Sequence, residues 1–190
     1  MSEPTMTTAS TARTQQRTER FHRPWLTWLR HLWADRADIR HVLDAEALAR
    51  LEARITASEA HHSGEIRLCV EAALPWRYLR DGASPRERAL SIFSKLRVWD
   101  TEHNNGVLVY LLLADRAVKI VADRGLHRHI DPDQWQSLIE AMQPLLRQGQ
   151  HEAALQNTLA ALDEALRHWF PVHGGDQRNP NELPNQVDLR

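Results

Sequence analysis

The chain lacks most of the devices that fix a small protein by means other than packing. It has a single cysteine, Cys69, which excludes an internal disulfide and gives no sign of an oxidising compartment. Glycine is scarce, at 7 of 190 residues. No G-x-G-x-x-G, P-loop or G-x-S-x-G occurs, so neither nucleotide chemistry nor a nucleophile-elbow triad has sequence support. Charge of one sign is not in excess: 24 basic against 25 acidic residues leave a net charge of -1. A nucleic-acid binder would show a basic balance or stripe, so no nucleic-acid partner is expected. No apolar run reaches the 18 or so residues of a spanning helix. The start, MSEPTMTTASTARTQQRTER, has no apolar stretch of the kind a signal peptide needs. The expectation is a soluble, cytoplasmic protein.

What the chain does have is one apolar run of note, Val107 to Ala114, behind the turn Asn104-Asn105-Gly106. Eight apolar residues suit a strand buried on both faces. Another strand, Ala117 to Ala122, returns after an Asp115-Arg116 turn that lacks the glycine favoured in two-residue hairpins. Upstream, Ile66, Leu68 and Val70 alternate with Arg67, Cys69 and Glu71, the period of a first strand. Cys69 is expected to be an inert packed thiol.

Helical signals surround these strands. Phe21, Trp25, Trp28, Leu29 and Leu32 share one face of a Trp-rich amphipathic helix assigned to 21–41, after a disordered tail over 1–20. Asp44 reads as an N-cap, followed by Leu48, Leu51 and Ile55 on a helix ending near His61. Pro75 to Ala83 reads as loop. Ser84-Pro85-Arg86-Glu87 combines a capping box with proline in the first turn, and Asp131-Pro132-Asp133-Gln134 reads as another N-cap with proline behind it. Trp135, Leu138, Ile139, Met142 and Leu146 line the helix that Gly149 stops. Leu155, Leu159, Leu162 and Leu166 line the last, from about Glu152 to Trp169. The tail over 172–190 reads as loop. A doubly apolar strand among amphipathic helices predicts an α/β fold with helices over both faces of a small mixed sheet.

The segments GEIRLCVE, NNGVLVYLLLADRAVKIVADRG and HIDPDQW, in this order, resemble the TPM domain family over roughly 42–171. Phe170-Pro171 and Asn181-Glu182-Leu183-Pro184 resemble its small bacterial branch. The resemblance implies an α/β/α sandwich. In this family some members are assigned phosphatase activity, some bind calcium or another divalent ion, and others look like regulatory or assembly modules. Where secreted relatives have Gly-rich acidic residues after the third strand, this chain has Asp123-Arg124-Gly125-Leu126-His127, which departs from a calcium site.

Glu65, Asp115, Asp123 and Asp131 fall at strand ends or loops and could meet at one rim of the sheet as ligands of Mg2+ or Ca2+. Asp115, Asp123 and Arg124 are the catalytic candidates on that reading, with Arg116 and Arg124 as holders of phosphate oxygens. The alternative is structural: Asp115 shapes a turn, Asp131 caps a helix and Asp123 pairs with an arginine. A second grouping is Glu59, His62 and Glu65. Eleven histidines are present, but only His61-His62 and His127 with His129 are close, and solvated loop histidines explain these better than zinc. The Trp-rich helix, through Phe21, Trp25, Trp28 and Leu32, could lie on an anionic membrane surface, dock on a protein partner, or pack on its own domain or a second copy. Two functions stay open: a non-catalytic binding, regulatory or assembly module, and a weak divalent-metal-dependent phosphatase.

Overall fold

The computed structural model describes residues 25–34, 36–172 and 181–190. The sheet they form has four strands: β1 (Ile66–Glu71), β2 (Val107–Leu112), β3 (Ala117–Ala122) and β4 (Asp188–Leu189). Their order is β3-β2-β1-β4, with β1 parallel to β2 and to β4, and β2 antiparallel to β3. Every residue of β1 and β2 is buried, as the apolar run of β2 requires.

The period of two sorts the core into two layers. Ile66, Leu68, Val70, Val107, Val109, Leu111 and Val118 face one way. There they meet Ile39 of α2 (Arg36–Val42), Leu51 and Ile55 of α3 (Ala45–Glu59), Met142 and Leu146 of α7 (Pro132–Arg147), and the leucine stripe of α8 (His151–Trp169). Cys69, Leu108, Tyr110, Leu112 and Val121 face the other way, against Leu79 of α4 (Trp76–Arg80) and Ala89 and Ile92 of α5 (Pro85–Lys95). The architecture is an α/β/α sandwich.

The helix starts follow local rules. Asp44 accepts the Ala47 N–H at 2.7 Å, the expected capping box forms between Ser84 and Glu87, and the expected cap Asp131 forms a further box with Gln134. Gly149, at φ +75°, occupies the left-handed position just past α7.

Four local expectations need correction. The Trp-rich segment is two helices, α1 (Trp25–Trp33) and α2, rather than one. Phe21 and the side chain of Trp25 lie outside the described residues. The stretch read as loop after Pro75 contains α4. The β2–β3 connection spans Leu113 to Arg116, and Arg116, at φ +49°, takes the left-handed position that glycine would usually fill. The tail read as loop ends in β4: the Arg190 N–H donates to the Val70 carbonyl, and the Ala72 N–H to the Arg190 carbonyl.

Candidate functional site

The four candidate carboxylates do not gather at one point: among the described residues no three of them come together. β2 runs antiparallel to β3 with Val107 opposite Ala122 and Leu112 opposite Ala117. Asp123, just past the end of β3, and Asp115, in the connection before it, therefore sit at opposite ends of the hairpin, with the six residues of β3, a rise of about 16 Å, between them. Asp131 is occupied as the cap of α7, where its side chain accepts the Asp133 N–H at 2.9 Å.

Asp115 is a buried anchor. His31 of α1 accepts the Leu74 N–H on Nδ1 at 3.1 Å, so Nε2 carries the proton and donates to Asp115 Oδ1 at 2.8 Å. This bond holds the Trp-rich helix on its own domain. Trp28 supports it, edge-on to Trp76 with ring centroids 5.8 Å apart. The outer side of α1 exposes Leu29, Leu32 and Trp33, the last at 84 %.

Glu65 lies at the rim where β1 and β2 begin. Its Oε1 accepts the Glu182 N–H and its Oε2 the Leu183 N–H, both at 3.1 Å. The Asn-Glu-Leu-Pro segment thus clamps a buried carboxylate, whose pKa burial raises. The same tail is tied to α3, where Glu52 accepts the Val187 N–H at 2.9 Å. Glu59 accepts the Ile66 N–H at 2.9 Å, and burial pushes its pKa up to about 7. His62, expected in solvent, is fully buried. Ser58 donates to Asp163 at 2.9 Å, which leaves its oxygen to accept from His62 Nε2 at 2.8 Å. Burial pulls the His62 pKa down to about 4, keeping the ring neutral. Serine, histidine and aspartate are therefore in one chain, but the hydroxyl proton points to the aspartate and the serine is buried in α3. This order does not activate a nucleophile.

Asp123 shares the rim with Glu65. Its Oδ1 accepts the Arg124 N–H at 2.7 Å, capping the short helix α6 (Arg124–His127). Its N–H donates to the Gly106 carbonyl, while the Gly125 N–H and Arg124 Nε bond to the carbonyl and side chain of Asn104 at 2.8 and 3.0 Å. The Asn104-Asn105-Gly106 and Asp123-Arg124-Gly125 motifs therefore interlock. A Cβ at Gly125 would stand 2.4 Å from the Asn104 carbonyl oxygen, and one at Gly106 even closer to that of Val98. Among the described residues, the buried Asp123 Oδ2 and Asn105 Oδ1 have no hydrogen-bond donor.

These residues do not fit a protein-built metal cage. Calcium takes about six to eight oxygens and magnesium a near-octahedral set. Among the described residues no three His, Cys, Asp or Glu side chains come together.

One polar constellation was missed from the sequence. Glu71, Arg88 and Tyr110 form a buried network between β1, β2 and α5. Arg88 Nε donates to Glu71 Oε2 at 2.9 Å, its NH2 group donates to Oε1, and the Tyr110 hydroxyl donates to Oε2 at 2.6 Å. Arg88 also stacks 4.7 Å above the Tyr78 ring. Burial works against the charge on Arg88, but its hydrogen bonds and charge attraction to Glu71, with the Tyr78 contact, together raise its pKa; burial raises those of Tyr110 and the neighbouring Cys69 thiol. The pattern that revealed β1 held the signal, since a charge at its inward position 71 demands a partner.

A cleft of about 420 Å3 runs beside β3, the open edge of the sheet, between Arg86 and Leu90 of α5 and Trp135 and Ile139 of α7. A second, of similar size, lies between α7 and α8 next to His129, which stacks on Trp169 at 4.4 Å.

A mixed four-stranded sheet between helical layers, with an Asn-Asn-Gly turn locked to an Asp-Arg-Gly helix start, defines a small α/β/α domain of known type. The model of the TPM domain matches residues 37–165, and the chain belongs to that family. The solution structure of BA42 from the psychrophilic bacterium Bizionia argentinensis is 27% identical, covering 78% of this chain and 95% of its own, with a TM-score of 0.67. The N-terminal domain of a P. gingivalis protein shares the fold at 21% identity and a TM-score of 0.56, covering 71% of this chain and 83% of its own. No curated protein matches the chain significantly. Among the described residues no helix is long and apolar enough to cross a membrane.

Proposed function

We propose that the chain is a TPM module that works by binding, in a regulatory or assembly role, rather than by catalysis. The observation that carries this reading is the commitment of the carboxylates to the fold. Both Glu65 oxygens hold the tail, Asp115 holds His31, and Asp131 caps α7. The open edge of β3, with its flanking cleft, supplies a surface for a partner. A cytoplasmic location fits this role. Contact with the inner face of the membrane through α1 is supported by the exposed Leu29, Leu32 and Trp33 beside Arg30.

The undonated Asp123 Oδ2 beside Arg124 favours one other reading, a weak divalent-metal-dependent phosphatase acting on phosphate monoesters. Hydrolysis of p-nitrophenyl phosphate with magnesium, calcium or manganese separates the two. The binding module should show no rate above buffer. A metal-dependent rate that disappears in Asp123→Asn at unchanged melting temperature would replace it with the phosphatase.

A further inference from the structure

We propose that the outer edge of β3 takes an extended, acidic peptide segment of another protein, which adds to the sheet as a fifth strand. The proposal rests on the binding-module reading and names the partner's chemistry.

Hydrogen-bond parity decides which backbone groups of β3 face outward. The Asp123 N–H donates to the Gly106 carbonyl at 2.8 Å. In an antiparallel pair the bonded positions alternate, so Val121, Lys119 and Ala117 also face β2. Val118, Ile120 and Ala122 turn their N–H and C=O groups outward. β3 ends the sheet, and no described residue bonds to these six groups. An uncovered row of this kind is a template for another strand.

The surroundings say what kind of strand. The cleft along the edge is apolar where Leu90, Val121, Ile139 and the Trp135 ring line it, which suits alternate apolar side chains of an extended segment. Its charged lining is Arg86, with His127 nearby and no carboxylate. Lys119 lies on the strand itself, and neither it nor Arg86 forms an ion pair among the described residues. Acidic residues in the incoming segment match this basic wall. A second copy would bring its own Arg86 and Lys119 to the same place. Residues 1–24 carry four arginines against two glutamates, the wrong sign for the cleft.

The test uses the full 15N-labelled chain and a fluorescein-labelled peptide, Glu-Val-Thr-Ile-Asp-Val-Glu, beside a version with lysine at its acidic positions. Saturating acidic peptide should slow amide exchange at Val118, Ile120 and Ala122 by about tenfold or more and leave Lys119 and Val121 unchanged. Arg86→Glu lies in the first turn of α5, where an acidic residue suits the helix dipole, so the protein should stay folded. It should weaken the acidic peptide and strengthen the lysine one. Ala122→Pro removes one outward donor and no bond to β2, and should weaken binding roughly threefold or more.

Absence of binding at millimolar peptide, equal binding of both peptides, or protection without the alternation would overturn the proposal. So would protection of the three amides before peptide is added. If that protection vanished with a dimer in Ala122→Pro, the occupant would be a second copy; if it vanished on removal of residues 1–24, it would be the chain's own N-terminus. A metal-dependent phosphatase rate would remove the binding-module reading but not a positive titration. A flat titration of an inactive protein would remove only this proposal.

Discussion

Replacing Arg88 by methionine tests whether the network between the sheet and α5 is an electrostatic unit. The substitution keeps most of the stem volume and removes the guanidinium. Glu71, 2 % exposed, would keep only the Tyr110 hydroxyl as a donor. Breaking a buried pair in this way costs about 3–5 kcal/mol, because the remaining charge is uncompensated. Against the roughly 5–15 kcal/mol that separates folded from unfolded domains, this is a severe loss. For a chain of this size it should lower the melting temperature by roughly 10 °C. Thermal denaturation followed by circular dichroism gives the shift, and urea titration gives the free energy. The decisive variant is the double substitution Glu71→Gln with Arg88→Met. Its amide oxygen still accepts from Tyr110 and no charge is buried, so it should regain at least half of the loss. If the double variant is no more stable than Arg88→Met alone, the loss comes from packing of the Arg88 stem over Tyr78, and the electrostatic account is wrong.

Three further outcomes follow from the described geometry. His62 has a folded pKa near 4 against about 6.5 when unfolded, so its contribution is present above pH 6.5 and lost as pH falls towards 4. The acid-side loss in wild type between pH 7.5 and 5, measured by urea titration, should exceed that in His62→Gln by about 2 kcal/mol. Gly106→Ala should unfold the protein or cost more than about 3 kcal/mol, since the new methyl meets the Val98 carbonyl; a melting temperature within a few degrees of wild type would contradict this. If α1 touches membranes, full-length protein should bind anionic vesicles at low salt and lose that binding in Leu32→Glu with Trp33→Glu, with folding unchanged.

The layers were legible because hydrophobic period reports which face of an element is covered. β2 and β3 were readable almost to the residue, as were the caps Asp44, Ser84 and Asp131. What escaped was set by distant contact. Asp188 and Leu189 carry no strand signal of their own; they are extended because β1 offers them an edge. Arg67 and Glu71 look like the wet side of a strand, yet both are buried, Arg67 donating to the Gln186 carbonyl at 3.0 Å. Spacing located the candidate carboxylates at strand ends but not at which end. Antiparallel pairing of β2 and β3 sends Asp115 and Asp123 to opposite rims, and that fact is topological. Nothing in the sequence sets His31 apart, although its bond to Asp115, 84 positions away, makes it the anchor of α1.

The tail that completes the sheet has a consequence for how the molecule opens. Leu183 and Glu65 are 118 positions apart in the chain. Closing a loop of that length costs roughly 3 kcal/mol more entropy than closing the four-residue connection between β2 and β3. The two-residue β4 repays this with few bonds, whereas β3 is paired along its full length. The two borders of the sheet should therefore differ in cooperativity. Amides bridging β1 and β4 should exchange through frequent local excursions, and those bridging β2 and β3 only when the whole domain unfolds.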